Sequence, residues 1–355
     1  VVAYLALPAA VYPPAVRALR AAGLAAGSRV VLEKPFGEDA ASARELDRTL
    51  HAAVPERDVF RVDHFLHHQT VQDLLAARLA DPLLARVWDR DGVERVDVVW
   101  EETAGVSGRA DFYDRTGALR DMVQSHLLQL LALVAMHPPA RLEERALRDA
   151  KAAALRRVPG LTADQVRTRT ARGRYTAGVV AGEARRGYLD EDGVDPGRGT
   201  ETWACARLEV DDPRWAGVPF VLRAGKALGR ARKHVEVRLR PVAGALLAAG
   251  PSLLRFEMAP DRVALSLPVA GPDGLPAVEP AQLEVARPRQ PLPASARMVL
   301  DVLRGDPTFT VRDDEAEQCW RITDAVRAGW RNGDVPLQDY AAGSDGPLRP
   351  GDAAP

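Results

Sequence analysis

The segment Arg120–Gln129 (RDMVQSHLLQ) sets polar side chains into an otherwise apolar stretch. At about 100° per residue, Asp121, Ser125, His126 and Gln129 share an arc of about 140° on a helix. Buried polar groups need partners, so such a strip faces either an internal network or a wet cleft. On this segment alone His126 is open to two readings, a satisfied core histidine or a group presented to a ligand. A second cluster, Arg61–Gln69 (RVDHFLHHQ), packs an acid and three of the seven histidines into a strand-to-helix junction. His64 and His68 stand four apart, which would offer a metal two ligands on one helical face. No cysteine or HExxH pattern supplies a further ligand, and no metal is expected. The other use is recognition of an anionic, hydroxyl-rich ligand, with Asp63 orienting a histidine elsewhere.

Lysine usage points to further positions. Lys34, Lys151, Lys226 and Lys233 stand against a large arginine count. An ammonium is a compact point charge and a guanidinium a planar fork, so a surviving lysine marks a site that arginine cannot serve.

The elements that must position these groups fall into two textures. Val1 to Leu7 reads as a strand, followed by an alanine-rich helix to about Ala26, a strand over Arg29–Glu33 and an amphipathic helix over Asp39–Ala53. That βαβα pattern implies a parallel sheet with ligands at the carboxyl ends of its strands, where Lys34 sits. Beyond Phe60 come a helix over 66–79, an alternating strand over Arg95–Glu101 and a long apolar helix over 119–136. Short alternating segments then recur at 203–210, 218–223, 234–240, 262–267 and 282–286, with helices near 294–304 and 313–331. They predict a mainly antiparallel sheet. The fold class is therefore α/β plus α+β: the C-terminal half of a Rossmann-type parallel sheet, then a large mainly antiparallel sheet with packed helices. The expected division is 1–57, 58–345 and a flexible Gly/Pro/Asp-rich tail at 346–355.

Composition narrows the partners. A formal charge of -1 over 355 residues gives no argument for nucleic acid or a membrane surface, so a small molecule is expected. Two distant cysteines, Cys205 and Cys319, without CxxC spacing fit a reducing cytoplasm. No stretch reaches the roughly 18 apolar residues of a membrane span.

At the level of motifs, Glu33–Gly37 (EKPFG), Arg61–Leu66 (RVDHFL), Gly117–Gln129 (GALRDMVQSHLLQ) and Val218–Leu228 (VPFVLRAGKAL) resemble, in order, signatures of glucose-6-phosphate dehydrogenases. Tyr4–Pro8, Gly187–Asp190 and Tyr340–Pro347 extend the resemblance over nearly the whole chain. It implies hydride transfer from C1 of glucose 6-phosphate to NADP, with His126 as base and Asp63 as the carboxylate that orients it. It also implies that Lys34 reaches both nicotinamide and sugar and that Tyr12 lines the cofactor. Glu102 and Asp121 would accept hydrogen bonds from sugar hydroxyls, His64 would contact the phosphate, and Lys226 would bind substrate with Lys233 nearby. Arg109 receives no role and reads as surface or structural. A homo-oligomer, dimer or tetramer, assembled through the large sheet is implied as well.

Two departures stand out. The family continues Asp-His-Tyr-Leu with Gly-Lys-Glu, whereas this chain has Phe65 and then His67-His68-Gln69. His68 thus stands where a lysine would meet the phosphate, and its ordinary pKa of about 6.5 leaves it mostly neutral at pH 7. That keeps open a dehydrogenase of another aldose or aldose phosphate, and a non-catalytic assembly subunit is a further alternative. The family's Gly-x-x-Gly-Asp-Leu loop, first βαβ unit and 2'-phosphate-reading basic residue are expected ahead of Val1. Residues 1–57 then form a remnant of the NADP-binding domain, and the chain alone is expected to bind NADP weakly.

Overall fold

The computed structural model describes residues 1–242, 250–286 and 290–348. Short β-branched runs form the first strands: β1 (Val2–Leu5), β2 (Arg29–Glu33) and β3 (Val59–Val62) pair in parallel in that order. Between them lie α1 (Tyr12–Ala21), opened by prolines at its first turn, and α2 (Ala40–His51), capped by Asp39 and Ser42 in a reciprocal box. Because β3 pairs with β2, the parallel sheet continues past the expected boundary at residue 57.

A 3-10 turn over His64–His67 then leads into α3 (Gln69–Ala80), α4 (Pro82–Val87) and β4 (Val93–Glu101). Next, α5 (Ala110–Ala118) meets a π-helix over Leu119–Leu127, which continues as α6 (Leu128–Ala135). The expected single helix over 119–136 is therefore wound in two ways. Helices α7 (Glu144–Arg156) and α8 (Ala163–Arg169) follow. The remaining strands are β5 (Thr170–Thr176), a hairpin of β6 (Gly178–Val180) and β7 (Glu183–Arg185), β8 (Trp203–Leu208), β9 (Phe220–Gly225) and β10 (Arg232–Leu239). After these come β11 (Leu253–Met258), β12 (Asp261–Ala270), β13 (Val278–Glu284), α9 (Ala294–Arg304), α10 (Asp313–Arg331) and β14 (Leu337–Ala341).

The large sheet has the order β13-β12-β11-β10-β4-β9-β8-β5-β14, and only the β4/β9 and β5/β14 pairings are parallel among the described residues. Its central strands carry the π-helix on one face, and α10 packs against that helix from outside. A continuous apolar core runs from Val30 and Leu32 of β2 through Leu127–Met136 to Leu222 and Val235. Residues of both sheets thus belong to one core. Just before the expected tail, the amide of Gly343 donates to Ala227 and the amide of Gly229 to the carbonyl of Ser344; within it, the amide of Gly346 donates to the Ser344 hydroxyl and the carbonyl of Leu348 accepts from Gln338. Of the expected flexible tail, 349–355 lies outside the described residues.

Candidate active site

Asp63 follows β3, the third parallel strand, and its Oδ1 accepts the amide of Phe65, so the carboxylate caps the turn that follows. Its Oδ2 lies 2.8 Å from Nδ1 of His126, contributed by the π-helix. Both side chains are 2 % exposed. With Nδ1–H donating to Asp63, the imidazole is held in one tautomer and Nε2 is the acceptor. Phe65 stacks flat on this ring, centroids 3.7 Å apart at 6°, and Trp100 backs Phe65 at 4.3 Å. Burial pushes His126 down to about 4, against the pull of Asp63 and with the repulsion of Lys34. Burial alone would raise Asp63, but the facing imidazole and the Phe65 amide hold it well below the usual carboxylate range. At neutral pH the pair is a neutral imidazole on a carboxylate, ready to take one proton.

The winding of the helix matters here. In a π-helix the bonds run i to i+5, as from the amide of Leu128 to Val123. Asp121 and His126, five apart, therefore share a face. Asp121 meets Lys34 from the carboxyl end of β2, whose Nζ donates 2.8 Å bonds to both its carboxylate and its carbonyl. Burial raises Asp121, and Lys34 outweighs it to keep the acid ionised. On the other flank, Glu102 just beyond β4 receives Lys226 and, at 2.9 Å, Lys233. Lys233 also lies 4.5 Å over the Trp100 ring. Glu102 is likewise held below its ordinary value, burial opposing and Lys226 prevailing.

His64 stands 5.8 Å from the His126 ring and 6.1 Å from His68. His68 is pushed below 6.5, first by burial and then by His64 and Lys233, against Asp261 and Asp63. His67 is buried and faces away, toward Asp301 of α9 at 3.2 Å. A cleft of about 410 Å³ opens at the carboxyl ends of the parallel strands, with Tyr4, Lys34, His64, Asp121 and Ser125 in its walls and Met298 of α9 at its rim.

Three expectations change. Tyr12 is fully buried with its hydroxyl on the Glu33 carbonyl, so it braces β2 from beneath, and Tyr4 lines the cleft in its place. Gln129 leaves the strip: α-helical winding resumes before it, and its amide joins Lys151 and Cys319 in the interior. Arg109 is exposed, as its surface reading had it, and what changes is its place: it lines the cleft with its guanidinium over Phe112. Among the described residues, His51, Glu56 and Asp313 come within metal-ligand spacing of one another, but Glu56 is already bonded to Arg61 and Arg148.

Comparison with known proteins places this geometry. The family model described as "Glucose-6-phosphate dehydrogenase, C-terminal domain" matches residues 75–353, and "Glucose-6-phosphate dehydrogenase, NAD binding domain" matches 1–73. The chain belongs to the glucose-6-phosphate dehydrogenase family. Glucose-6-phosphate 1-dehydrogenase of Gluconobacter oxydans is 42% identical over 90% of this chain and 67% of its own length. That of Mycolicibacterium smegmatis is 37% identical over 97% and 72%. A solved glucose-6-phosphate dehydrogenase in complex with glucose 6-phosphate superposes with a TM-score of 0.89 at 29% identity, covering 98% of this chain and 72% of that one. The Mycobacterium avium enzyme gives 0.84 at 35% identity, over 98% and 73%. The family carries a dinucleotide-binding domain, and the cleft at the ends of the parallel strands, with the Lys34 ammonium in its wall, fits the nicotinamide end of such a cofactor.

Proposed function

We propose that this protein oxidises glucose 6-phosphate at C1 to the 6-phosphogluconolactone, with NADP accepting the hydride and His126 taking the proton. A nicotinamide cofactor supplies the hydride acceptor when bound. His126 Nε2 removes the proton of the C1 hydroxyl as the C1–H bond gives up its electron pair, and the C1–O bond becomes a carbonyl. Asp63 keeps Nε2 as the acceptor and stabilises the imidazolium that forms. Lys34, held by Asp121, serves both reactants in this reading. Asp121 and Glu102 keep lone pairs for sugar hydroxyls beyond those bonded to their lysines. His64, His68, Lys226 and Lys233 supply the donors for the phosphate. The observation that carries this reading is the buried 2.8 Å His126–Asp63 pair within a family of named glucose-6-phosphate dehydrogenases.

Its test is reduction of NADP, with NAD in parallel, by glucose 6-phosphate and by a panel of free and phosphorylated aldoses. Turnover of glucose 6-phosphate above all others supports it; no aldose oxidation, with His126→Asn indistinguishable from wild type, overturns it in favour of an assembly subunit. A second reading, another aldose or aldose phosphate, is favoured by His68 with its depressed pKa, and the same panel decides it. The assembly reading extends to a homo-oligomer built on the large sheet. Both cysteines are buried, in keeping with a reducing cytoplasm, and no helix among the described residues is long and apolar enough to cross a membrane.

A further inference from the structure

A second polar cleft, of about 230 Å³, lies between the π-helix, α10, β5 and the loop at 198–201. Its lining holds six arginines against two acids, Asp114 and Glu201. Arg115, Arg198 and Arg327 each have a carboxylate within reach, in Asp111, Asp114 and Asp324. Arg120, Arg172 and Arg331 have none within ion-pair distance among the described residues. Arg120 instead donates to the carbonyls of Thr116 and Arg115, and Arg172 donates to the carbonyl of Val335 beneath the Trp330 ring. The two acids are already engaged: Asp114 by the Tyr188 hydroxyl and Arg198, Glu201 by the amide of Leu119.

Burying a guanidinium group without a counter-ion is unfavourable, and at Arg120 and Arg172 it weakens the hold on the proton. Arg120 is pushed down by burial and then by Arg327, with Arg331 adding to it, while Glu201 and Glu38 oppose. Arg172 is pushed down by burial, with Glu201 opposing. An exposed arginine in the last turn of a helix is ordinarily explained by the helix dipole, and Arg331 of α10 meets that description. The dipole does not explain Arg120, at the start of the π-helix, or Arg172, on a strand. Planar forks converging from three elements match the oxygens of a phosphate group bidentately.

We propose that this cleft binds a small phosphate-bearing anion, at a site separate from the sugar-phosphate pocket. Arg120 and Thr116 line both clefts, so the new site lies directly behind the Lys34–Asp121 wall of the active cleft. Its volume leaves room for a phosphate with a modest organic group, and the Leu119 and Trp330 side chains offer that group an apolar surface.

The test is calorimetric titration of the full chain with inorganic phosphate and with adenosine monophosphate, against chloride at matched ionic strength. Arg172→Gln/Arg331→Gln, Arg331→Gln alone and His64→Gln/His68→Gln are compared with wild type, and thermal unfolding confirms that each is folded. Loss of a charge-assisted bond predicts binding at this site at least about tenfold weaker in the arginine variants. It also predicts retention of this site in the histidine variant. Adenosine monophosphate binding more tightly than phosphate identifies a phosphoester ligand, and equal binding identifies the free anion. Phosphate binding that is unsaturable, or unchanged in both arginine variants, overturns the proposal. Loss in the histidine variant alone bears on the sugar-phosphate site and leaves no room for this one.

Discussion

In the proposed reaction His126 serves as base because it is neutral before substrate arrives and faces a carboxylate once it has taken a proton. His126→Asn removes the acceptor, and kcat is expected to fall by about 10²- to 10⁴-fold with a much smaller change in KM. Asp63→Asn should lower kcat in the same direction by releasing the tautomer, and steady-state kinetics of both variants checks this. The pH dependence has a definite sign. His126 titrates near 4 in the folded chain and near 6.5 when unfolded, so between these values the unfolded chain binds a proton that the folded one refuses. Stability therefore falls as pH drops from about 6.5 toward 4, and the loss of the depressed Asp63 adds to it at lower pH. The acid limb of kcat/KM is expected below 6.5, and a limb at or above that value would contradict a buried neutral base. At His68, burial leaves the ring uncharged in the free protein, so a bound phosphate must draw a proton onto it. Preference for glucose 6-phosphate over glucose should then weaken as pH rises from about 6 to about 8.5, and His68→Lys should restore it. A flat preference in wild type, unaltered in the variant, would show that His68 does not hold the phosphate.

At the scale of elements, the π-helix is braced from behind by charges that never reach solvent. Lys151 of α7 and Glu315 of α10 pair at 2.9 Å with 1% and 0% exposure, and Lys151 also holds Gln129 one turn past His126. Removing one partner strands the other, so Lys151→Met is expected to lose about 3 to 5 kcal/mol in urea unfolding. Lys151→Met with Glu315→Leu should recover most of that loss; an equal loss in both would mean that packing rather than charge dominates. This network also explains why α7 is hard to read from sequence. Its buried face carries Arg148 and Lys151 among the leucines and alanines, so two inward-facing positions look solvent-facing to a residue-by-residue reading. Strands β5 and β14 are hidden for a related reason: arginine, glycine, glutamine and aspartate alternate with their buried positions. By contrast β4, β10 and β12, richer in valine and leucine, announce themselves.

At the scale of the whole molecule, one apolar core spans both sheets, so the walls of the cleft are parts of one packed body. Trp320 of α10 donates to the carbonyl of Phe36, and Asp324 accepts the amide of Ala40, tying the second unit to the first. The outer strand β13 is largely exposed and carries Leu283 at the surface. A homo-oligomer built on the large sheet would sediment at twice the 38.4 kDa of the chain or more. Velocity sedimentation across a concentration series checks this, and a single species at the chain mass would exclude the assembly.

The residue types and their local spacing were determined by the sequence alone. An acid closing a strand, an imidazole five residues past Asp121, and lysines in an arginine-rich chain are all properties of neighbours in the chain. Partnership was decided by tertiary structure. Asp63 and His126 are 63 residues apart, and only the packing of the π-helix between two sheets brings them to 2.8 Å and removes the water that would set their pKa values. The same packing turned Tyr12 into the core, sent His67 to Asp301 and gathered Arg120, Arg172 and Arg331 around one cleft. Burial and charge pairing depend on what arrives from elsewhere in the chain, and no local pattern carries that information.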